Sequence, residues 1–355
     1  MLPTSHLASD LAFRAALRGW YRRHRRLLPW RRTRDPYRIW VSEVMLQQTR
    51  VAAARPYYAD FLRRFPDLPS LATASRDEVL AAWSGLGYYR RARHLHEAAS
   101  IVIRDHGGHV PESAEAFGRL PGVGRYTTGA VLSIAFDRPL PVLDGNVARV
   151  LARLHALPVS IREPDGARRL WALAGSLIPM RSPGDWNQAL MELGATVCAP
   201  SGPRCGACPV RRWCRAHASG RTEAYPAAPR RRPIERLRRA VALVESRGRR
   251  LLVRRSGALL DGLWEPPGVD LTPGVSARRA LAARLRELGL RVSLEPTGRV
   301  VRHAITHRAI EVEVWRGEST GRLAAGAAWH ARGARERPLT ALARMLLRAR
   351  RRFEM

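Results

Sequence analysis

All four cysteines of the chain, Cys198, Cys205, Cys208 and Cys214, fall in one 17-residue window. The spacing Cys-x6-Cys-x2-Cys-x5-Cys places four thiols in a single short loop, where they can surround one metal centre. No cysteine is left elsewhere for a disulfide framework. Zinc ribbons usually pair two Cys-x2-Cys knuckles. Here Cys205 and Cys208 form the one such knuckle, and the longer outer spacings favour one [4Fe–4S] cluster.

The 355 residues carry a formal charge of +32, from 62 basic against 30 acidic side chains. The chain contains no lysine, so every one of those cations is arginine. GC-rich coding explains arginine in place of lysine; it does not explain the excess over acids. A polyanionic partner does, and guanidinium groups contact phosphate bidentately. The longest apolar stretches are too short to span a bilayer. The segment from Met1 to Phe13 lacks the basic region and apolar core of a signal peptide. Free thiols and no export signal lead us to expect a cytoplasmic, nucleoid-associated monomer with no membrane partner.

Residues 10 to 195 predict helix after helix, with apolar residues three and four apart in Leu11 to Tyr21, Asp77 to Trp83 and Thr127 to Phe136. Turn signals at Asp35-Pro36, Phe65-Pro66, Gly107-Gly108 and Pro121-Gly122 separate them. Residues 219 to 236, with Pro226, Pro229, Pro233 and the run Arg230 to Arg232, have the composition of a linker. Beyond it the period changes. Ala240 to Val244 and Leu251 to Arg255 flank Ser246-Arg247-Gly248 as a hairpin, and Ile310, Val312 and Val314 alternate with glutamates as a half-buried strand. Ser276 caps a helix running to Leu288, closed by Gly289, and Thr340 to Arg352 forms a last helix. The expected organisation is a mainly α region over 1–218, a linker over 219–236, and an α+β domain over 237–355.

Leu120-Pro121-Gly122-Val123-Gly124 precedes a helical stretch that begins near Tyr126. Gly122 and Gly124 allow a tight turn whose N–H groups face outward at a helix N-terminus, an anion site suited to a phosphate. Asp144 follows about twenty residues later, and the cysteine loop after that. This layout resembles the endonuclease III superfamily of helix-hairpin-helix DNA glycosylases. Three segments narrow the likeness to its adenine DNA glycosylase (MutY type) branch: Trp40-Val41-Ser42-Glu43-Val44-Met45-Leu46-Gln47-Gln48-Thr49, Gly85-Leu86-Gly87-Tyr88-Tyr89 and Asp144-Gly145-Asn146-Val147-Ala148-Arg149. The likeness covers the whole chain, since that branch carries a Nudix-like domain after a linker.

Cleaving the bond between adenine and deoxyribose requires a proton on the leaving base and an anion beside the developing oxocarbenium ion. Two carboxylates in unlike environments meet both needs. Glu43, amid Val41, Val44, Met45 and Leu46, is expected to have a raised pKa by desolvation. The resemblance makes Glu43 the general acid at N7 and the activator of water, Asp144 the anion that stabilises or captures the sugar cation, and Tyr126 and Asn146 the residues that orient them. Taken singly, Glu43 reads as a surface acid and Asp144 as a helix N-cap. Bifunctional members of the superfamily place a lysine where Tyr126 stands, so a side-chain Schiff base is unavailable here.

The resemblance further implies that Gln48, Leu86 and Tyr88 intrude near the purine opposite the excised base, and that Trp30 and Arg31 form the adenine-pocket wall. The partner it implies is double-stranded DNA containing adenine opposite 8-oxoguanine or guanine, with the target base flipped out. Leu263-Trp264-Glu265-Pro266-Pro267-Gly268 is similar to the start of the 8-oxoguanine-reading domain. Its recognition loop commonly reads His-x-Phe-Ser-His; here it is His303-Ala304-Ile305-Thr306-His307, which keeps a hydroxyl at Thr306 and the imidazole of His307 but not the aromatic ring. Ala283 and Arg286 stand where an active Nudix enzyme needs glutamates, leaving Glu287 alone and arguing against a nucleotide hydrolase. An endonuclease III-type glycosylase/lyase for oxidised pyrimidines is disfavoured by Tyr126 and the second domain. A non-enzymatic DNA-binding module is disfavoured by the pairing of Glu43 with Asp144.

Overall fold

The structure is a computed structural model, and it describes residues 11–227, 233–257, 260–305, 307–319, 321, 323–331 and 337–348, with Arg348 by its backbone alone. Thr306, Pro229, the run Arg230 to Arg232, residues 1–10 and the expected end of the last helix lie outside the described residues. The chain divides into two compact units, Met1–Thr73 with His94–Arg230, and Ala74–Arg93 with Arg231–Met355.

The first unit is helical. Leu11–His24 buries Phe13, Leu17, Trp20 and Tyr21, one stripe at helical spacing. That stripe packs against Val147, Val150 and Leu151 of Gly145–Leu154 and against Trp186, Leu190 and Leu193 of Pro183–Thr196. Phe13 meets Trp186 and Trp213 edge-on, with centroids 5.8 and 5.5 Å apart. Pro36–Leu46 starts with Asp35 as N-cap and Pro36 in its first turn. It is buried on nearly every side from Tyr37 to Met45, so it is a core helix rather than an amphipathic one, and it carries Glu43 inward.

The Gly122–Gly124 turn joins Ala114–Gly118 to Arg125–Phe136. Gly122 has φ +74°, and a Cβ there would lie 2.6 Å from Cβ of His94, so both backbone geometry and space require glycine. The cysteine loop holds two single 3-10 turns, Cys205–Ala207 and Arg211–Trp213, and the short helix Arg215–Ala218.

The second unit is α+β, as the change of period predicts. Its strands are β1 (Glu235–Ser246), β2 (Arg249–Arg254), β3 (Trp264–Glu265), β4 (Gly268–Leu271), β5 (Glu295–Ile305), β6 (Arg308–Glu318) and β7 (Ala327–Ala331). One mixed sheet runs β3-β2-β1-β6-β5, with β4 also on β1 and β7 also on β2. β1 and β2 form the expected hairpin, closed by Arg247 and Gly248 at φ +45° and +73°. β1 and β6 pair in parallel over eleven positions, from Glu235 opposite Arg308 to Glu245 opposite Glu318. Alternation along β1 feeds two cores. Ala240, Ala242 and Val244 pack with Leu281 and Leu285 of Ala277–Glu287, whereas Val241 packs with Val312, Val314, Leu342 and Leu346. Ser276 caps Ala277–Glu287 as expected, and Ala341–Arg348 is the described part of the last helix.

Candidate active site

Three helices deliver the predicted catalytic residues to one place. Pro36–Leu46 carries Glu43, Arg125–Phe136 carries Tyr126 in its first turn, and the start of Gly145–Leu154 carries Asp144 and Asn146. All four line a cavity of about 910 Å³, together with Trp30, Arg31, Gln48, Gly122 and Gly124. That volume suits a whole organic group, since ligand sites run from about 300 to 1,000 Å³.

The Tyr126 hydroxyl donates to Oε2 of Glu43 at 2.7 Å and lies 3.3 Å from Sδ of Met191. Burial pushes the Glu43 carboxyl up to about 7. The hydrogen bond from Tyr126 pulls it down, the negative charge of Asp144 pushes it up, and Arg31 pulls it down. Both protonation states are therefore accessible near neutrality, which is what a group acting first as acid and then as base needs. Burial and the neighbouring carboxylates raise the Tyr126 phenol well above its ordinary value, keeping it a neutral donor.

Asp144 is held differently. It is the N-cap of Gly145–Leu154: Oδ1 accepts the Val147 N–H at 2.7 Å and Oδ2 accepts the Asn146 amide at 2.8 Å. Burial raises its pKa, while those donors and Arg149 oppose the rise. The bland reading of an N-cap and the catalytic one describe the same carboxylate. Asn146 is fixed in turn, because its Oδ1 accepts from Arg149 Nη2 at 3.0 Å. Arg149 also donates to the carbonyls of Gly194 and Cys198, each at 2.7 Å. Gly194 admits Asn146, since a Cβ there would sit 2.6 Å from Cβ of Asn146.

Glu192 and Arg26, absent from the sequence reading, complete one wall of the cavity. Glu192 is fully buried; it accepts from Arg26 N and Nε at 2.9 Å, from Arg26 Nη2 at 2.7 Å, and from Arg31 Nη2 at 2.7 Å. Burial alone would raise its carboxyl, but these four donors overcome it and hold the group at about 2. Arg31 is further set by the Tyr21 ring, 5.6 Å from its guanidinium carbon. Trp30 is buried edge-on against Tyr58.

Gln48 reaches the cavity with a left-handed backbone, φ +57°. Leu86 and Tyr88 belong to the second unit and are not among the lining residues of this cavity. Leu86 is buried and Tyr88 is half-exposed, on a loop where Gly85, Gly87 and Tyr88 all have positive φ. His307 occupies the turn between β5 and β6, with Nε2 3.6 Å from Oε2 of Glu235.

Cys198, Cys205, Cys208 and Cys214 line one pocket in the first unit, each half-buried. Burial, aided by the three neighbouring cysteines, pushes the Cys208 thiol up to about 12. The buried Arg153 lies at this pocket: Nη1 is 3.3 Å from Sγ of Cys198, and the guanidinium donates to the carbonyls of Ala199, Pro200 and Tyr225. Among the described residues no three thiol, imidazole or carboxylate groups converge on a single-ion site.

Comparison with known proteins gives the family. Residues 41–174 match the HhH-GPD superfamily base excision DNA repair protein, and residues 239–349 match the NUDIX domain. The chain is 40% identical to an adenine DNA glycosylase of Rattus norvegicus, over 87% of this chain and 72% of the relative. It is also 40% identical to that of Homo sapiens, over 80% of this chain and 62% of the relative. A thermostable thymine-DNA glycosylase superposes with a TM-score of 0.54 and 30% identity, covering 60% of this chain and 99% of the other. A trapped endonuclease III–DNA covalent intermediate shares the fold at a TM-score of 0.51 and 21% identity, over 62% of this chain and 99% of the other. With Glu43 and Asp144 facing one cavity and relatives of this kind over most of its length, the chain belongs to the adenine DNA glycosylase family, hydrolases of the N-glycosidic bond.

Proposed function

We propose that this chain is a monofunctional glycosylase that removes adenine paired with 8-oxoguanine or guanine from duplex DNA, in base excision repair. The observation that carries the reading is the Tyr126–Glu43 hydrogen bond in a cavity shared with Asp144. Glu43, as the carboxylic acid, protonates N7 of the flipped adenine. The C1′–N9 bond then breaks, its electron pair leaves with the base, and the sugar becomes an oxocarbenium ion. Asp144 stabilises that cation or bonds to C1′. Glu43, now a carboxylate, takes a proton from water as the oxygen attacks C1′, leaving an abasic site and regenerating the acid. Tyr126 and Asn146 hold the two carboxylates in place throughout.

The second unit supports the mispair preference through its family match and through the retained Thr306 and His307. Arginine excess supports duplex DNA as the partner. For the cysteine loop we infer one [4Fe–4S] cluster, supported by the cysteine spacing and by four half-buried cysteines lining one pocket. Bound there, the cluster would cross-link the loop through four iron–thiolate bonds. We also take the protein to act as a monomer in the cytoplasm, at the nucleoid. Incubation with duplexes containing adenine opposite 8-oxoguanine, guanine or thymine, with and without subsequent alkali, tests the reading. Strand breaks only after alkali, in the first two duplexes, are the expected result.

A further inference from the structure

The second unit contains a pocket that the excision chemistry does not use. It measures about 170 Å³ and lies where β1, β2, β3, β4 and Ala277–Glu287 come together. Four arginines line it, Arg239, Arg254, Arg255 and Arg284, and among the described residues Glu265 is the acid that lines it. Glu265 is buried and clamps two of them: Arg239 Nη2 at 2.8 Å and Arg255 Nη1 at 2.5 Å. The Arg239 side chain is 13% exposed, so it is held in place before any ligand arrives. Gly268 leaves it room, since a Cβ there would lie 3.1 Å from Nε of Arg239. Arg254 and Arg284 are the looser members. Their carboxylate partners, Asp77 and Glu287, are 43% and 63% exposed and do not line the pocket. Exposed pairs of that kind add little to stability, so giving them up for another anion costs little.

We propose that this pocket binds one backbone phosphate of the DNA strand. A pair of guanidiniums clamped by Glu265 beside two more exposed arginines is suited to a tetrahedral oxyanion, which accepts bidentate contacts. Size selects the source. Whole organic ligands need about 300–1,000 Å³; a pocket of about 170 Å³ accommodates a phosphate and not the base and sugar of a nucleotide. A divalent cation is disfavoured by the same lining, in which four arginines outnumber one carboxylate.

The assignment rests on duplex DNA being the substrate, and the test separates the two claims. Full-length protein and the variants Arg284→Gln, Arg254→Gln, Arg284→Lys and Arg279→Gln are titrated with duplex DNA across a range of salt. Arg279 is exposed on the same helix and does not line the pocket, so it controls for diffuse charge. Arg284→Gln and Arg254→Gln should each weaken binding at every sequence and lower the salt slope by about 1, the change expected for one lost phosphate contact. Arg284→Lys should restore most of the slope and Arg279→Gln should leave it intact. Equal slopes in all proteins, or an equal loss in Arg279→Gln, overturn the site while leaving excision by the wild type standing. A wild type that neither binds nor cleaves the duplex overturns the functional reading instead. Thermal unfolding with millimolar inorganic phosphate or dATP covers free anions. A midpoint rise that Arg284→Gln abolishes, without any change in DNA salt slope, would reassign the pocket to a free phosphate compound and overturn the proposal.

Discussion

The hydroxyl of Tyr126 donates to Oε2 of Glu43 at 2.7 Å, and this bond opposes the upward push of burial on the Glu43 carboxyl. Glu43 must be protonated to deliver its proton, so kcat/KM should be high below about pH 7 and fall above it. Tyr126→Phe removes a donor that favours the carboxylate. The descending limb should therefore move to higher pH. Single-turnover excision measured from pH 5 to 9 checks the direction, and an unmoved limb counts against Glu43 as the titrating acid.

Glu43→Gln keeps the shape of the side chain and removes its acid, while Asp144→Asn keeps a capping oxygen and removes its charge. Each should lower excision by at least about 10²-fold, the scale of acid–base groups. Affinity for DNA with a non-cleavable adenine analogue should stay near wild type. Excision near the wild-type rate in either variant contradicts its assigned role.

No side-chain amine exists in the chain, because it has no lysine. Borohydride reduction during turnover should therefore trap no side-chain adduct with the abasic sugar, and strands should break only on alkali treatment. An abundant adduct mapped to a side chain would end the monofunctional reading. Slow trapping at an α-amino group is compatible with it, since such a group, with a pKa near 8, can condense with an aldehyde.

Glu192 titrates in the folded chain at about 2, below its ordinary 4.5, so its contribution to stability is present above about pH 4.5 and is lost as the pH falls toward 2. Glu192→Gln leaves Arg26 and Arg31 without their shared anion and should destabilise the protein by about 3 kcal/mol at pH 7. Denaturant melts should show that difference shrinking at pH 3. A constant gap at both pH values would mean that packing, rather than charge, is what the glutamine lost.

Protein prepared without oxygen should contain iron and inorganic sulfide in equal amounts, four of each per chain by the [4Fe–4S] assignment, with a broad absorbance near 400 nm. Stoichiometric zinc without iron would replace the cluster with a single-ion site.

The parts legible in the sequence are those encoded by local pattern. Glu43 and Asp144 are legible through the segments that hold them, Trp40 to Thr49 and Asp144 to Arg149, which resemble those of the family, and the cysteines because they cluster in one short window. The helices and the β1–β2 hairpin follow from periodicity and turn chemistry in the same way. Glu192 could not be found like that. Its partners Arg26 and Arg31 lie 166 and 161 residues away, and nothing beside it in the sequence distinguishes it from any other glutamate on a helix. Arg153 is hidden for a related reason, since in a chain with 62 arginines no single one signals a buried role. The grouping of Ala74–Arg93 with the second unit is likewise a long-range property, which composition along the chain does not mark.

Because Asp144 closes the first turn of Gly145–Leu154, the charge assigned to the sugar in the proposed reaction also serves the helix. Esterification of that carboxylate by C1′ would turn a charged acceptor into a neutral one. The hydrogen bonds from Val147 and Asn146 would weaken, and the positive end of the helix dipole would lose its counter-charge. Hydrolysis of the ester restores all three. On the covalent form of the proposed reaction, the cap would loosen as the ester formed and tighten again on release of the sugar, which would disfavour accumulation of the covalent state.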